Sequence, residues 1–268
     1  MKAENKTIVL TGAGSGIGRE LTFALLEKGA SVAAVDISEA ALKETQKLAG
    51  DKGKNMSLHL LSISDRAAVE ALPEQVLAVH KQVDGLINNA GIIQPFVRVN
   101  DLEYATIKRV VDVNFYGTLY MIKAFLPYLL KRPEAHIVNI SSMGGFLPVP
   151  GQSVYGATKA AVKLLTEGLH SELVETAVRV TLVFPGAIAT NISDNSGVKA
   201  PRQADSGKKS KFHPMASDKA AAAIIKGMEK NKARVMVGKD AKFMLKLYTT
   251  SPSFARNFIR KQMKELLD

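Results

Sequence analysis

Thr7-Ile8-Val9-Leu10-Thr11-Gly12-Ala13-Gly14-Ser15-Gly16-Ile17-Gly18 is the stretch whose reading decides the fold of this chain. A short β-branched run, Thr7 to Leu10, gives way to a glycine loop, and Leu21, Ala24 and Leu25 then recur at helical spacing. Glycines suit a chain that turns tightly and brings backbone N–H groups to a diphosphate at a helix N-terminus, where the dipole also favours an anion. The strand-loop-helix order makes this a nucleotide-site motif rather than a plain turn. The next strand, Ser31 to Asp36, ends in an acid that can accept hydrogen bonds from both adenosine-ribose hydroxyls and repel a ribose phosphate. NAD is therefore expected over NADP, with Arg19 the one nearby cation that would change this by turning back towards the loop.

Outward from that unit, apolar β-branched runs alternate with helical patterns, as in a parallel sheet covered on both faces. Strands are expected near Thr7 to Leu10, Ser31 to Asp36, Met56 to Leu61, Gly85 to Asn88, His136 to Ile140, Arg179 to Phe184 and Arg234 to Val237. Helices are expected near 16–29, 38–50, 65–81, 102–131 and 152–176, and from Ser217. The fold class is thus α/β, a single-domain doubly wound sheet of about seven strands spanning residues 1–268. The helix 102–131 carries Asn114 inside an apolar run and Pro127, which should bend its axis. Residues 186–215, rich in Gly, Ser, Asn and Lys, read as a mobile substrate loop, and residues 239–268 as a basic helical extension.

The 268 residues carry a formal charge of +11 and no cysteine, which excludes disulfides and thiolate chemistry. Residues 1–190 hold 19 Lys and Arg against 18 Asp and Glu, whereas residues 191–268 hold 17 against 7, so the basicity belongs to the last third. No secretory or membrane-spanning segment is expected, and the default location is cytoplasmic. His59, His80, His136, His170 and His213 show no ligand spacing, so no metal is expected. A nucleic-acid partner is not expected either, because the cations lack interleaved aromatics or a recognisable binding motif.

Tyr155 and Lys159 stand one helical turn apart. A phenol loses its proton near pH 10, and an ammonium on the same face would lower that value and make a neutral-pH acid-base tyrosine. Together with the glycine loop, Asp36, Asn88-Asn89-Ala90-Gly91, Asn114, Ser141-Ser142 and Pro185-Gly186, this pair resembles the short-chain dehydrogenase/reductase family over residues 5–190. The resemblance implies a Rossmann-type fold and reversible hydride transfer between a secondary alcohol and a nicotinamide cofactor. It makes Tyr155 the acid-base group, Lys159 its pKa-lowering neighbour and nicotinamide-ribose ligand, and Ser142 the hydroxyl that holds the substrate oxygen. Asn114 would hold a water that relays protons from Lys159. The cofactor would lie along Gly12, Ser15, Gly16, Ile17, Gly18, Asp36, Ser62, Ile63, Asn88, Ala90 and Gly91, with Pro185, Ile188 and Thr190 at its nicotinamide end. Ser62 stands where the family commonly has an aspartate, so adenine should be held less strongly.

Ile93, Phe96, Val97, Met143, Phe146, Leu147 and Val149 suggest an apolar lining and a hydrophobic alcohol or ketone, steroid-, retinoid- or acyl-like. A 3-oxoacyl-carrier-protein-type reductase is the alternative enzyme, and a non-catalytic nucleotide-sensing or nucleic-acid-binding protein the alternative class. Val162, Leu165, Leu169 and Leu173 form a stripe that either faces the domain's own sheet or makes a homodimer or homotetramer interface. Phe254, Phe258, Ile259, Met263, Leu266 and Leu267 form the apolar face of a basic helix that either docks on protein or makes peripheral contact with a membrane.

Overall fold

The computed structural model describes residues 1–198 and 214–263. Seven strands form one parallel sheet: β1 (Thr7–Thr11), β2 (Ser31–Asp36), β3 (Met56–Leu60), β4 (Gly85–Asn88), β5 (Ala135–Ile140), β6 (Val178–Pro185) and β7 (Arg234–Val237). Each expected strand forms within one residue of its expected ends. Their order is β3-β2-β1-β4-β5-β6-β7, so chain direction across the sheet reverses between β1 and β4. That reversal opens a crevice at the carboxyl ends of the two central strands, which is where the glycine loop lies.

Period-two alternation sorts the strand residues between two cores. Ile8, Leu10, Val32 and Ala34 pack with Leu21 and Leu25 of α1 (Gly16–Glu27), Leu42 of α2 (Glu39–Leu48) and Ile224 and Met228 of α8 (Ser217–Glu229). Val9, Ala33, Val35 and Leu86 pack on the other face with Leu72 and Val76 of α3 (Arg66–His80), Phe125 and Leu129 of α5 (Thr118–Leu129) and Leu169 of α6 (Ser153–Glu172). The Val162-Leu165-Leu169-Leu173 stripe therefore faces its own sheet. Val162, Leu169 and Leu173 are buried and Leu165 packs against the second core, while Leu164 on the opposite side is 68% exposed.

The helix expected over 102–131 is broken in two. α4 (Tyr104–Val111) passes into a π-helical segment, Asp112–Gly117, before α5 begins at Thr118, and α5 runs through Pro127 to Leu129. The distortion sits at Asn114 rather than at the proline. Near a helix C-terminus proline removes only one bond, whereas a π turn widens the helix where a buried amide must reach neighbouring backbone.

At the C-terminus, α9 (Lys239–Thr250) and α10 (Pro252–Gln262) fold back on the domain. Met244, Ala255 and Ile259 form a third apolar cluster with Leu147, flanked by Met143, Phe146, Tyr248 and Phe258. Of the described part of the apolar face that the sequence offers to a membrane, Phe258, Ile259 and Met263 are thus spent on the protein itself, while Phe254 is exposed. Lys264, Leu266 and Leu267 lie outside the described residues. Of the expected mobile loop, residues 199–213 also lie outside them; its described ends are joined by a parallel bridge between Ile188 and Met215 and contain a single helical turn, α7 (Ile192–Asn195).

Candidate active site

The glycine loop is tied down from three sides. Gly12 adopts φ +68°, and a Cβ there would sit 2.9 Å from Asn89 Nδ2 and 3.0 Å from Ala90 Cα, so a side chain is excluded by conformation and by space. Thr11 Oγ1 accepts from the N–H groups of Asn89 (3.0 Å) and Ala90 (3.1 Å), and Asn89 Nδ2 donates to the Thr11 carbonyl at 3.0 Å. Thr11 and Asn89 thereby fasten the turn after β1 to the turn after β4. Sequence reading did not assign Thr11 a role, although its position between strand and first glycine was visible.

Asp36 engages the same loop. Its Oδ2 accepts from Gly14 N–H at 2.9 Å and its Oδ1 from Ser38 N–H at 3.0 Å. Arg19 donates through Nε and Nη2 to the Gly14 carbonyl, at 3.0 and 2.6 Å, and pairs with Glu44. The cation thus does turn back to the loop, where Glu44 offsets its charge. Ser15 caps α1 without a side-chain bond to the first turn, which leaves the N–H groups at that terminus as an anion cradle beside Gly16, Ile17 and Gly18. Thr190 lies across the loop, 3.3 Å from where a Gly16 Cβ would stand, and Asn195 Nδ2 donates to Ser15 Oγ at 2.8 Å. A nicotinamide dinucleotide fits these features: the N–H groups of the cradle would suit a diphosphate, and the Asp36 carboxylate would suit ribose hydroxyls.

Other expected contacts are distributed differently. Ala90 and Gly91 continue from the loop, but Asn88 turns into the sheet and donates to Asn139 Oδ1 at 2.8 Å. Its side chain lies in a buried polar pair rather than along the cleft. Ile63 is buried against Gly117, so its contribution is to the core beside the π segment. Ser62 shares a 2.8 Å hydrogen bond with Ser64. Pro185 ends β6, and Ile188 packs on the first core.

Tyr155, Lys159, Ser142 and Asn114 converge on the far side of the crevice. Lys159 is buried, and its Nζ donates to the Ile140 carbonyl at 3.0 Å and lies 6.0 Å from the Tyr155 ring centre. A Cβ on Gly91 would stand 3.0 Å from that Nζ, so the bare backbone of Gly91 makes room for the amine. Ser142 Oγ accepts from Gly144 N–H at 3.0 Å and stands on the same side of the site as the Tyr155 phenol, whose ionisation it favours. Ser141 instead donates to the Lys159 carbonyl at 2.7 Å and is buried, leaving Ser142 as the hydroxyl beside the phenol. Asn114 accepts from Ile92 N–H and donates to Ile92 C=O, both at 2.9 Å, and also donates to Thr158 Oγ1 at 3.1 Å.

Burial dominates the ionisation of the pair. Tyr155 is half-buried: loss of solvation pushes its phenol above the ordinary value of 10.0, and the Ser142 hydroxyl only partly offsets this. The same loss of solvation brings Lys159 from 10.5 down to about 8. The expected lowering of the phenol by Lys159 does not act in this state of the site: desolvation is the largest influence on Tyr155, Ser142 alone opposes it, and removing water destabilises the charged forms of both residues.

Of the expected apolar lining, Ile93 and Leu147 are buried in the interior. Phe96, Val97, Met143, Phe146 and Val149 keep partial exposure. Tyr248 of α9, which sequence reading missed because it is remote in the chain, faces Phe146 with ring centres 6.4 Å apart. Among the described residues no group of three metal-ligating side chains occurs. His59 and His80 are nevertheless joined through Ser57 Oγ, at 2.7 Å each, a contact between β3 and the end of α3 that helical spacing could not reveal.

The chain matches the family model of short chain dehydrogenases over residues 6–200. It is 39% identical over 249 residues to a protein of Mycobacterium tuberculosis named "Putative oxidoreductase SadH", covering 89% of this chain and 88% of the relative. A short-chain dehydrogenase of Burkholderia cenocepacia solved with NADP superposes with a TM-score of 0.80 at 26% identity, covering 97% of this chain and 99% of the other. A short-chain dehydrogenase/reductase of Burkholderia phymatum solved with NAD superposes with a TM-score of 0.85 at 24% identity, covering 96% and 97%.

Proposed function

The chain belongs to the short-chain dehydrogenase family and is an NAD(P)-dependent oxidoreductase, and from that premise we propose that it interconverts a hydrophobic secondary alcohol and its ketone. The observation that carries this reading is the convergence of the Tyr155 phenol, the Ser142 hydroxyl and the buried Lys159 amine beside the glycine loop. The nicotinamide dinucleotide, held at the α1 cradle, supplies the hydride acceptor or donor. In alcohol oxidation Tyr155 takes the hydroxyl proton, and Ser142 donates to the substrate oxygen as negative charge develops there. Lys159 keeps a positive charge near the phenol, and burial loosens its own proton enough for exchange near neutrality. Asn114 holds the Ile92 backbone against Lys159 and could orient a water on the route to solvent.

NAD is the favoured cofactor. Asp36 sets a carboxylate at the edge of the loop and holds the Gly14 N–H, while the Arg19 guanidinium that reaches the Gly14 carbonyl has its charge offset by Glu44. The partly exposed apolar side chains near Tyr155, together with the aromatic contact from α9, support a lipophilic substrate. Two partners are part of the proposal. A second copy of the chain is met by the outer face of α6, where Leu164 is exposed beside Ala157 and Gly168. An anionic membrane surface is met by the outer sides of α9 and α10, which carry six exposed cations among the described residues.

The direct test is Tyr155→Phe assayed with a panel of hydrophobic secondary alcohols and ketones, NAD(H) and NADP(H) in parallel. The variant should bind NADH as the parent does and lose turnover by on the order of 1,000-fold or more. A variant with parental turnover would sink the assignment, and a preference for NADPH would overturn the role given to Asp36.

A further inference from the structure

Three consecutive residues after β4 are tied to three different parts of the cleft. Ile92 is held by the Asn114 amide, Ile93 N–H donates to Ser196 Oγ at 3.0 Å, and Gln94 reaches the start of α6. Gln94 is fully buried. Its Oε1 accepts from the N–H groups of Val154 and Tyr155, at 2.9 Å each, and its Nε2 donates to the Gly151 carbonyl at 2.9 Å. Gln152 answers from the helix side, donating through Nε2 to the Gln94 backbone carbonyl at 2.7 Å.

A helix begins with four N–H groups that have no intrahelical acceptor, and the N-cap side chain ordinarily satisfies one of them. Gln152 occupies the N-cap of α6 and makes no such bond. The next N–H, that of Gly156, already donates to the Gln152 carbonyl at 2.8 Å. Two of the open donors, including that of Tyr155 itself, are thus met by a side chain about sixty residues earlier in the chain.

We propose that Gln94 is a positioning residue for the reaction: by gripping the first turn of α6 it fixes the Tyr155 phenol relative to Ser142. The proposal rests on the acid-base reading of Tyr155. That residue lies in the first helical turn, the part of a helix most prone to fray, while its phenol must stay within hydrogen-bond reach of a hydroxyl on another element. A displacement of about 1 Å at a reacting group can lower a rate by on the order of 100-fold. Gln94 does more than cap, because the segment that carries it is also latched to Ser196, whose carbonyl accepts from Arg109 of α4 at 2.5 Å.

The test uses Gln94→Leu, which keeps volume but removes acceptor and donor; Gln94→Asn, which withdraws them by one methylene; and Gln94→Glu, which keeps the acceptor for both N–H groups. Acetophenone reduction by NADH is the probe reaction, and the carbon-13 tyrosine resonance of Tyr155, assigned with Tyr155→Phe, is followed through a pH titration. Gln94→Leu should lower kcat about 100-fold with the KM for NADH within about twofold of the parent. The Tyr155 phenol should then titrate at lower pH, nearer its ordinary value, as water reaches the loosened turn, and Gln94→Glu should recover most of both changes. A merely structural role would lower melting temperature without moving the Tyr155 titration, and that result overturns the proposal. Should the leucine variant not fold, Gln94→Asn is read by the same two measures; with acetophenone unreduced by the parent, the titration decides alone. If Tyr155→Phe remains active the acid-base reading fails and this one with it, whereas an inactive Tyr155→Phe beside an unaffected Gln94→Leu removes only Gln94.

Discussion

His136 sits inside the sheet with no exposed surface, its Nε2 sharing a 2.8 Å hydrogen bond with Thr181 Oγ1 and its Nδ1 without a partner among the described residues. Burial brings its pKa from 6.5 to about 3. The folded protein therefore binds fewer protons at this site than the unfolded chain between those two values. Stability contributed by the neutral imidazole is complete above pH 6.5 and falls by up to about 1.4 kcal/mol per pH unit as pH drops towards 3. His136→Asn should flatten the acid limb of a melting-temperature profile; an unchanged limb would mean that other groups set it. The same physics governs Tyr155 and Lys159. Their one-turn spacing could be read from the chain, but the sign of the net shift could not, because solvation depends on what closes over the pair. Ser142 and Ser141 illustrate the same point: spacing preferred one, and only the commitment of Ser141 to the Lys159 carbonyl, with Ser142 left to act on the phenol, gives the reason.

Among elements, strands and caps were the legible part, since two-residue alternation, the Ser38 cap and the glycine turn are local properties. The π segment at Asn114 was not legible as such. An apolar run broken by one amide announces a buried polar group, but whether proline or amide distorts the helix depends on the Ile92 backbone lying opposite. α10 makes the contrast sharper. Its amphipathic pattern was plain, yet Ala255 and Ile259 dock inward, leaving Phe254 57% exposed and Arg256, Arg260 and Lys261 outward beside Lys239, Lys242 and Lys246 of α9. None of these cations forms an ion pair with a described carboxylate. Each Lys or Arg near an anionic bilayer contributes about 1 kcal/mol of attraction. The protein should sediment with phosphatidylserine vesicles and not with neutral ones, and combined Lys242→Glu, Lys246→Glu, Arg256→Glu and Arg260→Glu should weaken this at least about tenfold. Equal sedimentation of parent and variant would remove the membrane partner. No described helix is long and apolar enough to cross a bilayer.

At the scale of the whole molecule, two helix layers cover the sheet, and the face of α6 turned away from it carries Leu164 at 68% exposure with Gly168 open to solvent. If that face joins two copies, Leu164→Glu should halve the mass measured by light scattering while leaving NADH binding intact; a monomeric parent would refute it. The sequence alone determined the α/β class, the seven parallel strands, the nucleotide loop and the family, because these depend on local periodicity and on motifs held within single turns. Tertiary structure decided which residues of those motifs face one another. It turned Asn88 into the sheet, committed Arg19 to Glu44, laid α9 and α10 on the segment after Ser142, and brought Gln94 to the first turn of α6. Each of these outcomes joins residues far apart in the chain, and it is the closing of the parallel sheet, with the exclusion of water it brings, that chooses between the alternatives local spacing leaves open.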